Sequence, residues 1–135
     1  MFAFTTKSRY GVSAVLEMAK NHGNGPLHVK EIAARHDISP QYLEQLMTRL
    51  VKHGLVHAVR GQKGGFVLSR PPEEIALIEI LEALEGPLAL VESMPLGNPA
   101  GEYAAEAELA LHRILNVPLA DVLARQESRA MMFHI

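Results

Sequence analysis

The chain contains no cysteine and no tryptophan, and among 135 residues it has only four Phe and three Tyr. Without thiols it can form no disulfide and can offer no thiolate to a soft metal or an iron–sulfur cluster. No apolar run approaches the ~18 residues of a membrane-spanning helix. The opening Met1-Phe2-Ala3-Phe4-Thr5-Thr6-Lys7 lacks the apolar stretch and small-residue cleavage site of a secretory signal. These absences make a cytoplasmic location the expectation. Hydrophobic residues nevertheless make up 48% of the chain, enough for a buried core.

Net charge is also nearly missing, at −2, but its distribution is uneven. Residues 1–70 hold ten Lys/Arg against four Asp/Glu, whereas residues 71–135 hold three against eleven. The sign reverses at Arg70-Pro71-Pro72. A polyanion would be drawn to the first part and repelled by the second. This break suggests a division into residues 1–72 and 73–135.

Breakers and periodicity define the expected elements. After Thr5 or Thr6, either suited to an N-cap, apolar residues recur at helical spacing to Ala19, and Asn21-His22-Gly23-Asn24-Gly25-Pro26 ends that helix. A short helix over Val29–His36 turns Ile32 and Ala33 inward. Asp37-Ile38-Ser39-Pro40 forms a tight turn. Ser39 then caps a third helix with Pro40 at its first position, and Gly54 stops it. Two strand-like runs, Val56–Arg60 and Phe66–Ser69, flank the glycine-rich Gly61-Gln62-Lys63-Gly64-Gly65. A further helix is expected over Ile75–Leu84, an irregular stretch over Glu85–Gly101, and helices over Glu102–Leu115 and Leu119–Arg125, with the last ten residues frayed. The fold class is mainly α with a small β-hairpin: a winged helix-turn-helix followed by a C-terminal dimerisation helix.

The third helix carries the functional signal. Leu43, Leu46, Met47 and Leu50 share one face, and Gln41, Glu44, Gln45 and Thr48 share the opposite one. Gln pairs with adenine, Glu accepts from the cytosine amino group, and Thr serves polar or methyl contacts. A polar face alone marks any amphipathic helix. The hairpin adds the discriminating feature, because Arg60 and Lys63 stand on a loop able to approach a phosphate backbone, and an Arg there can enter a narrow minor groove. Neither a Walker pattern nor a strand-to-helix glycine fingerprint is present. The pattern therefore points to double-stranded DNA.

The ordered blocks Thr6-Lys7-Ser8-Arg9-Tyr10-Gly11, Lys30-Glu31-Ile32-Ala33, Ile38 to Leu46, Gly54-Leu55-Val56, Val59-Arg60-Gly61, Gly64-Gly65-Phe66, Arg70 to Ile75 and Leu84 to Leu88 resemble the Rrf-two family of bacterial regulators. The resemblance spans about residues 1–92. It implies a homodimer on a pseudo-palindromic operator. It also implies base reading by Gln41, Glu44 and Gln45, minor-groove entry by Arg60, and phosphate contacts from Thr6, Lys7, Arg9, Tyr42 and Lys63. Many members carry three cysteines just after the Glu-Gly-Pro-Leu block and hold an iron–sulfur cluster with them. This chain continues Ala89-Leu90-Val91-Glu92-Ser93 and has no such ligands, so no cofactor is expected. Similarity to cluster-free members implies a protein partner or small ligand as effector.

Other sites are weaker. His53 and His57 are separated by the helix-ending Gly54, and His22, His28 and His36 border loops, so no zinc spacing emerges. No nucleophile elbow surrounds Ser93, and no catalytic residue is assigned. Ala104, Ala107, Leu111 and Ile114 form a narrow seam that suits helix–helix packing, either between two copies or against the chain's own core. Residues from Met94 to Tyr103 offer a place for a ligand pocket without a residue signature. Met131-Met132-Phe133 is either disordered or folded back. The reading is a DNA-binding regulator, with repression as its mode. The rival is a protein-interaction adaptor that has lost DNA binding, and the cations at Lys7, Arg9, Arg60 and Lys63 speak against it.

Overall fold

The computed structural model describes residues 2–93 and 97–133. Its elements run α1 (Thr6–Lys20), α2 (Val29–His36), α3 (Pro40–Lys52), β1 (Val56–Val59), β2 (Gly65–Leu68), a single 3-10 turn (Pro72–Glu74), α4 (Leu77–Glu85), α5 (Pro99–Leu115) and α6 (Leu119–Phe133). Thr5, rather than Thr6, caps α1, accepting from the Lys7 amide at 3.2 Å. Ser39 caps α3 through the Tyr42 amide at 3.1 Å, with Pro40 in the first turn. Between α2 and α3, Asp37 adopts a left-handed φ of 53°, and the Ile38 amide closes back on Ala33.

The tri-helical core forms around α3. Leu43, Leu46, Met47 and Leu50 are all buried, as the spacing predicts, and pack with Ala14, Val15, Ile32 and Ala33. The same core takes in Ile75, Ile80 and Leu84 around α4, and Leu119 at the start of α6. It therefore runs straight through the Pro71-Pro72 punctuation. Leu77–Val117 and Leu119–Ile75 backbone hydrogen bonds, both 2.8 Å, tie the α5–α6 corner to the entrance of α4.

Several boundaries depart from the sequence expectation, including α4, which runs Leu77–Glu85 rather than Ile75–Leu84. Helix α5 starts at Pro99 inside the stretch expected to be irregular, because Asn98 caps it by accepting from the Gly101 amide. Helix α6 does not stop near Arg125 with frayed residues beyond; it continues to Phe133. It packs on α1, and Leu123 rests against the core, giving the helix a tertiary support that periodicity alone does not reveal. Met131 and Met132 thus belong to a helix, with their side chains exposed. Each strand lies one position from its expected limits: β1 ends at Val59, and β2 covers Gly65–Leu68.

Two contacts set how α1 meets α4. Gly11 is buried against Leu84 so closely that an added Cβ would lie 2.4 Å from Leu84 Cδ1. At the end of α4, the Glu85 side chain is only 3% exposed. Its Oε2 accepts from the Thr5 amide at 2.9 Å, the Thr5 hydroxyl at 2.6 Å and the Ser8 hydroxyl at 2.6 Å. Its Oε1 lies 3.7 Å from Lys7 Nζ. Burial alone would raise this carboxyl's pKa, but the hydrogen bonds from Ser8 and Thr5 and the Lys7 charge outweigh it, bringing the value from 4.5 to about 2.

A carboxylate depressed in the folded state stabilises it above the unfolded value and loses that contribution as pH falls through the folded one. Thermal melting should therefore show stability declining between pH 4.5 and about 2 in the native chain. Glu85→Gln should have a lower melting temperature at neutral pH and a flatter acid limb. Parallel acid limbs would show that Glu85 is not the titrating group.

Candidate nucleic-acid interface

The hairpin is held in place by backbone geometry. Strands β1 and β2 pair antiparallel, with Val56 opposite Leu68 and Val59 opposite Gly65. Leu27, just before α2, adds a bridge to Phe66: the Leu27 amide donates to the Phe66 carbonyl at 3.0 Å, and the Phe66 amide returns the bond at 2.8 Å. Gly65 makes this approach possible. Its φ is +148°, and a Cβ there would sit 2.2 Å from the Leu27 carbonyl oxygen. Gly64 is packed as closely against the Val59 carbonyl, at 2.3 Å for a built Cβ. Sequence reasoning placed the glycines in the turn but missed the third strand segment, since a single bridging residue leaves no alternation to detect.

Because the wing is pinned to the start of α2, it opens onto the outer face of α3. Gln41 and Glu44 of α3 share one cleft of about 530 Å³ with Ala58, Val59, Gly65 and Phe66 of the hairpin, with Lys30 of α2 and with His28, the residue before that helix. Gln41, Glu44, Gln45 and Thr48 are all exposed. Thr48 differs from the other three, because its hydroxyl donates to the Glu44 carbonyl at 2.9 Å and is partly committed to the backbone. Arg60 and Lys63 are exposed on the loop between the strands. The helix face and the hairpin expected to share a target thus bound one concavity.

Of the residues expected at phosphates, Lys63 is on the hairpin loop, Tyr42 is in the first turn of α3, and the other three are on α1. Thr6, Lys7 and Arg9 occupy the first turn of α1. Arg9 sits 4.9 Å from the Tyr10 ring centroid, and Tyr10 meets Tyr42 edge-on at 6.2 Å. Tyr10 therefore links the start of α1 to the start of α3. Arg49 adds a second tie, donating to the Leu84 carbonyl at 2.9 Å and satisfying the end of α4.

Helix α5 is different in kind, since none of its 17 residues is buried. Of the expected seam, Ala104 is half-buried and Ala107 exposed, while Leu111 and Ile114 are 38% and 64% exposed. Tyr103, at 73%, extends the same stripe. The adjoining side grips the linker: Glu108 accepts from the Leu90 amide at 2.6 Å, and the His112 ring bonds the Leu88 carbonyl at 2.8 Å. Met94, Pro95 and Leu96, part of the segment considered for a ligand pocket, lie outside the described residues.

The donor chemistry of the linker does not fit an iron–sulfur cluster. Ser93 stands where a first cysteine would be, and the chain has no thiol anywhere. Among the described residues, no group of three His, Asp or Glu side chains is placed to hold a metal ion. None of the described helices is long and apolar enough to cross a membrane.

Comparison with known proteins agrees with this geometry. Residues 4–126 match the Rrf2 family model, described as an iron-dependent transcriptional regulator. The chain is 38% identical to the HTH-type transcriptional regulator CymR of Bacillus subtilis, over 97% of this chain and 98% of that protein. It is 46% identical over 81 residues to the HTH-type transcriptional regulator IscR of Sodalis glossinidius, covering 60% of this chain and 49% of the relative. The solved structure of the B. subtilis global cysteine regulator CymR superposes with a TM-score of 0.81 at 38% identity, over 93% of this chain and 98% of that one. The T. potens IscR structure gives a TM-score of 0.76 at 36% identity, over 93% of this chain and 88% of that one. A wing and recognition helix that share one cleft, on a chain matched almost end to end by such proteins, make this a member of the Rrf2 family of winged-helix, DNA-binding transcriptional regulators.

Proposed function

We propose that the chain is a homodimeric repressor that reads a pseudo-palindromic operator without doing chemistry on it. The observation that carries this reading is the common cleft of Gln41, Glu44 and the hairpin strands. From the α3 side of this arrangement Gln41, Glu44 and Gln45 address base edges in the major groove, and Arg60, on the hairpin loop, enters the adjacent minor groove. Thr6, Lys7, Arg9, Tyr42 and Lys63 hold the phosphates and set the register. Residues 1–72 supply all of these groups, and residues 73–135 supply the pairing surface and the excess of negative charge. The exposed cations Arg9, Arg60 and Lys63 form no ion pair among the described residues, which disfavours an adaptor that no longer binds DNA.

Dimerisation rests on α5. A helix with no buried residue and an apolar stripe of Tyr103, Ala107, Leu111 and Ile114 has its apolar surface unpaid within one chain. A second α5 crossing it would cover both stripes and set two recognition helices one DNA turn apart. Without thiolate ligands, the signal in this reading comes from a protein partner or a small ligand, and the site of action is the cytoplasm.

Selection of bound duplexes from a random pool tests the reading, since a palindrome would emerge from a symmetric dimer. On the recovered operator, Arg60→Ala should cost about 1–3 kcal/mol of binding. Its unfolding should shift by no more than about 0.5 kcal/mol; an unchanged affinity would remove the wing from the mechanism. Glu44→Ala should relax preference at one base position while leaving affinity for random DNA intact or slightly improved, because a negative charge is lost. A uniform loss on both DNAs would reassign Glu44 to a structural role. Ile114→Glu should yield monomers in sedimentation equilibrium and weaken operator binding. A variant that stays dimeric would place the interface elsewhere.

A further inference from the structure

The cleft between α3 and the wing has a third wall that the expected DNA contacts leave unused. His28 and Lys30, at the start of α2, line it beside Gln41 and Glu44. Both are exposed, and Lys30 forms no ion pair among the described residues. The geometry of duplex DNA says what must lie there. With a helix in the major groove and a hairpin tip in the neighbouring minor groove, the sugar–phosphate strand dividing those grooves has to pass between the two elements. That strand would run along the cleft itself.

Every phosphate on it is an anion, and the cleft already presents one negative group, Glu44. The hairpin strands line the cleft with only Ala58, Val59, Gly65 and Phe66, none of which carries charge. Positive charge facing the dividing strand must therefore come from the start of α2. Lys30 supplies a permanent cation, and a histidine gains its charge within the physiological range when an anion is brought against it. Arg60 and Lys63 stand beyond the cleft, on the loop that joins the strands.

The geometry points to His28 and Lys30 as a phosphodiester site for the strand that separates the major groove read by α3 from the minor groove entered by the wing. This rests on the DNA-reading assignment above and adds to it a proton-linked contact. Binding takes up a proton at His28, so affinity rises as pH falls. The charged groups sharing the cleft with His28 are Lys30 and Glu44, and Glu31 follows on the same helix. The wild-type pH response must therefore be read against a variant lacking His28.

The test uses the full chain and a duplex recovered by selection, with binding followed by fluorescence anisotropy. Lys30→Ala should make the plot of log affinity against log salt concentration shallower by about one unit, the signature of one lost phosphate contact. Wild type should bind on the order of threefold to fivefold more tightly at pH 6 than at pH 8, and His28→Gln should lose most of that difference. Both side chains are exposed, so melting temperatures close to wild type should accompany these changes. An unchanged salt slope in the lysine variant, or an unchanged pH response in the histidine variant, overturns the site while leaving the regulator reading standing. A wild-type chain that selects no duplex overturns both.

Discussion

The molecule depends on a pair of hydrogen bonds between Leu27 and Phe66. A two-stranded hairpin is marginally stable alone and free to swing. Here its second strand is stitched to the residue that precedes α2, and α2 is fixed to α3 by their shared core around Ile32 and Leu43. The wing angle therefore follows from the same packing that seats the recognition helix. Gly65 is the residue on which this closeness turns, because any side chain would collide with the Leu27 backbone, which cannot rotate aside.

A second rigid link runs from the end of α4 in two directions. Glu85 gathers the Thr5 amide and two hydroxyls at the start of α1, and the carbonyl of Leu84 receives Arg49 from α3. The linker to α5 begins one residue later, at Gly86 with φ +95°, and its next residues are anchored by Glu82, Glu108 and His112. In this chain side-chain hydrogen bonds hold the linker.

The legible part of the fold was the part governed by local rules. The caps at Ser39 and Thr5, the breakers after Lys20, the two faces of α3 and the glycine-rich turn each leave their mark within a few residues. What the chain order concealed was long-range. No local signal announces that a buried glutamate at position 85 will orient the first turn of α1, or that Leu27 will extend the hairpin. The length of α6 was hidden for the same reason, since its polar composition suggests fraying until α1 is seen beneath it. Of the cleft between α3 and the hairpin, the residue types and the exposed face of α3 could be read directly. The position of His28 and Lys30 within it could not, because that depends on how the wing closes over α2.

Helix α6 also bears on how the protein comes into being. Its first residue, Leu119, is fully enclosed among side chains from α1 to α4, and Leu123 rests on the same cluster. Helix α1 therefore meets one of its neighbours only after roughly a hundred further residues have been made. Until then the nascent chain carries an uncovered apolar strip along α1. Synthesis and competence are thereby coupled: a polypeptide interrupted before α6 would present Lys7, Arg9 and Arg60 on an unfinished scaffold, a state better suited to chaperone capture than to occupancy of a promoter.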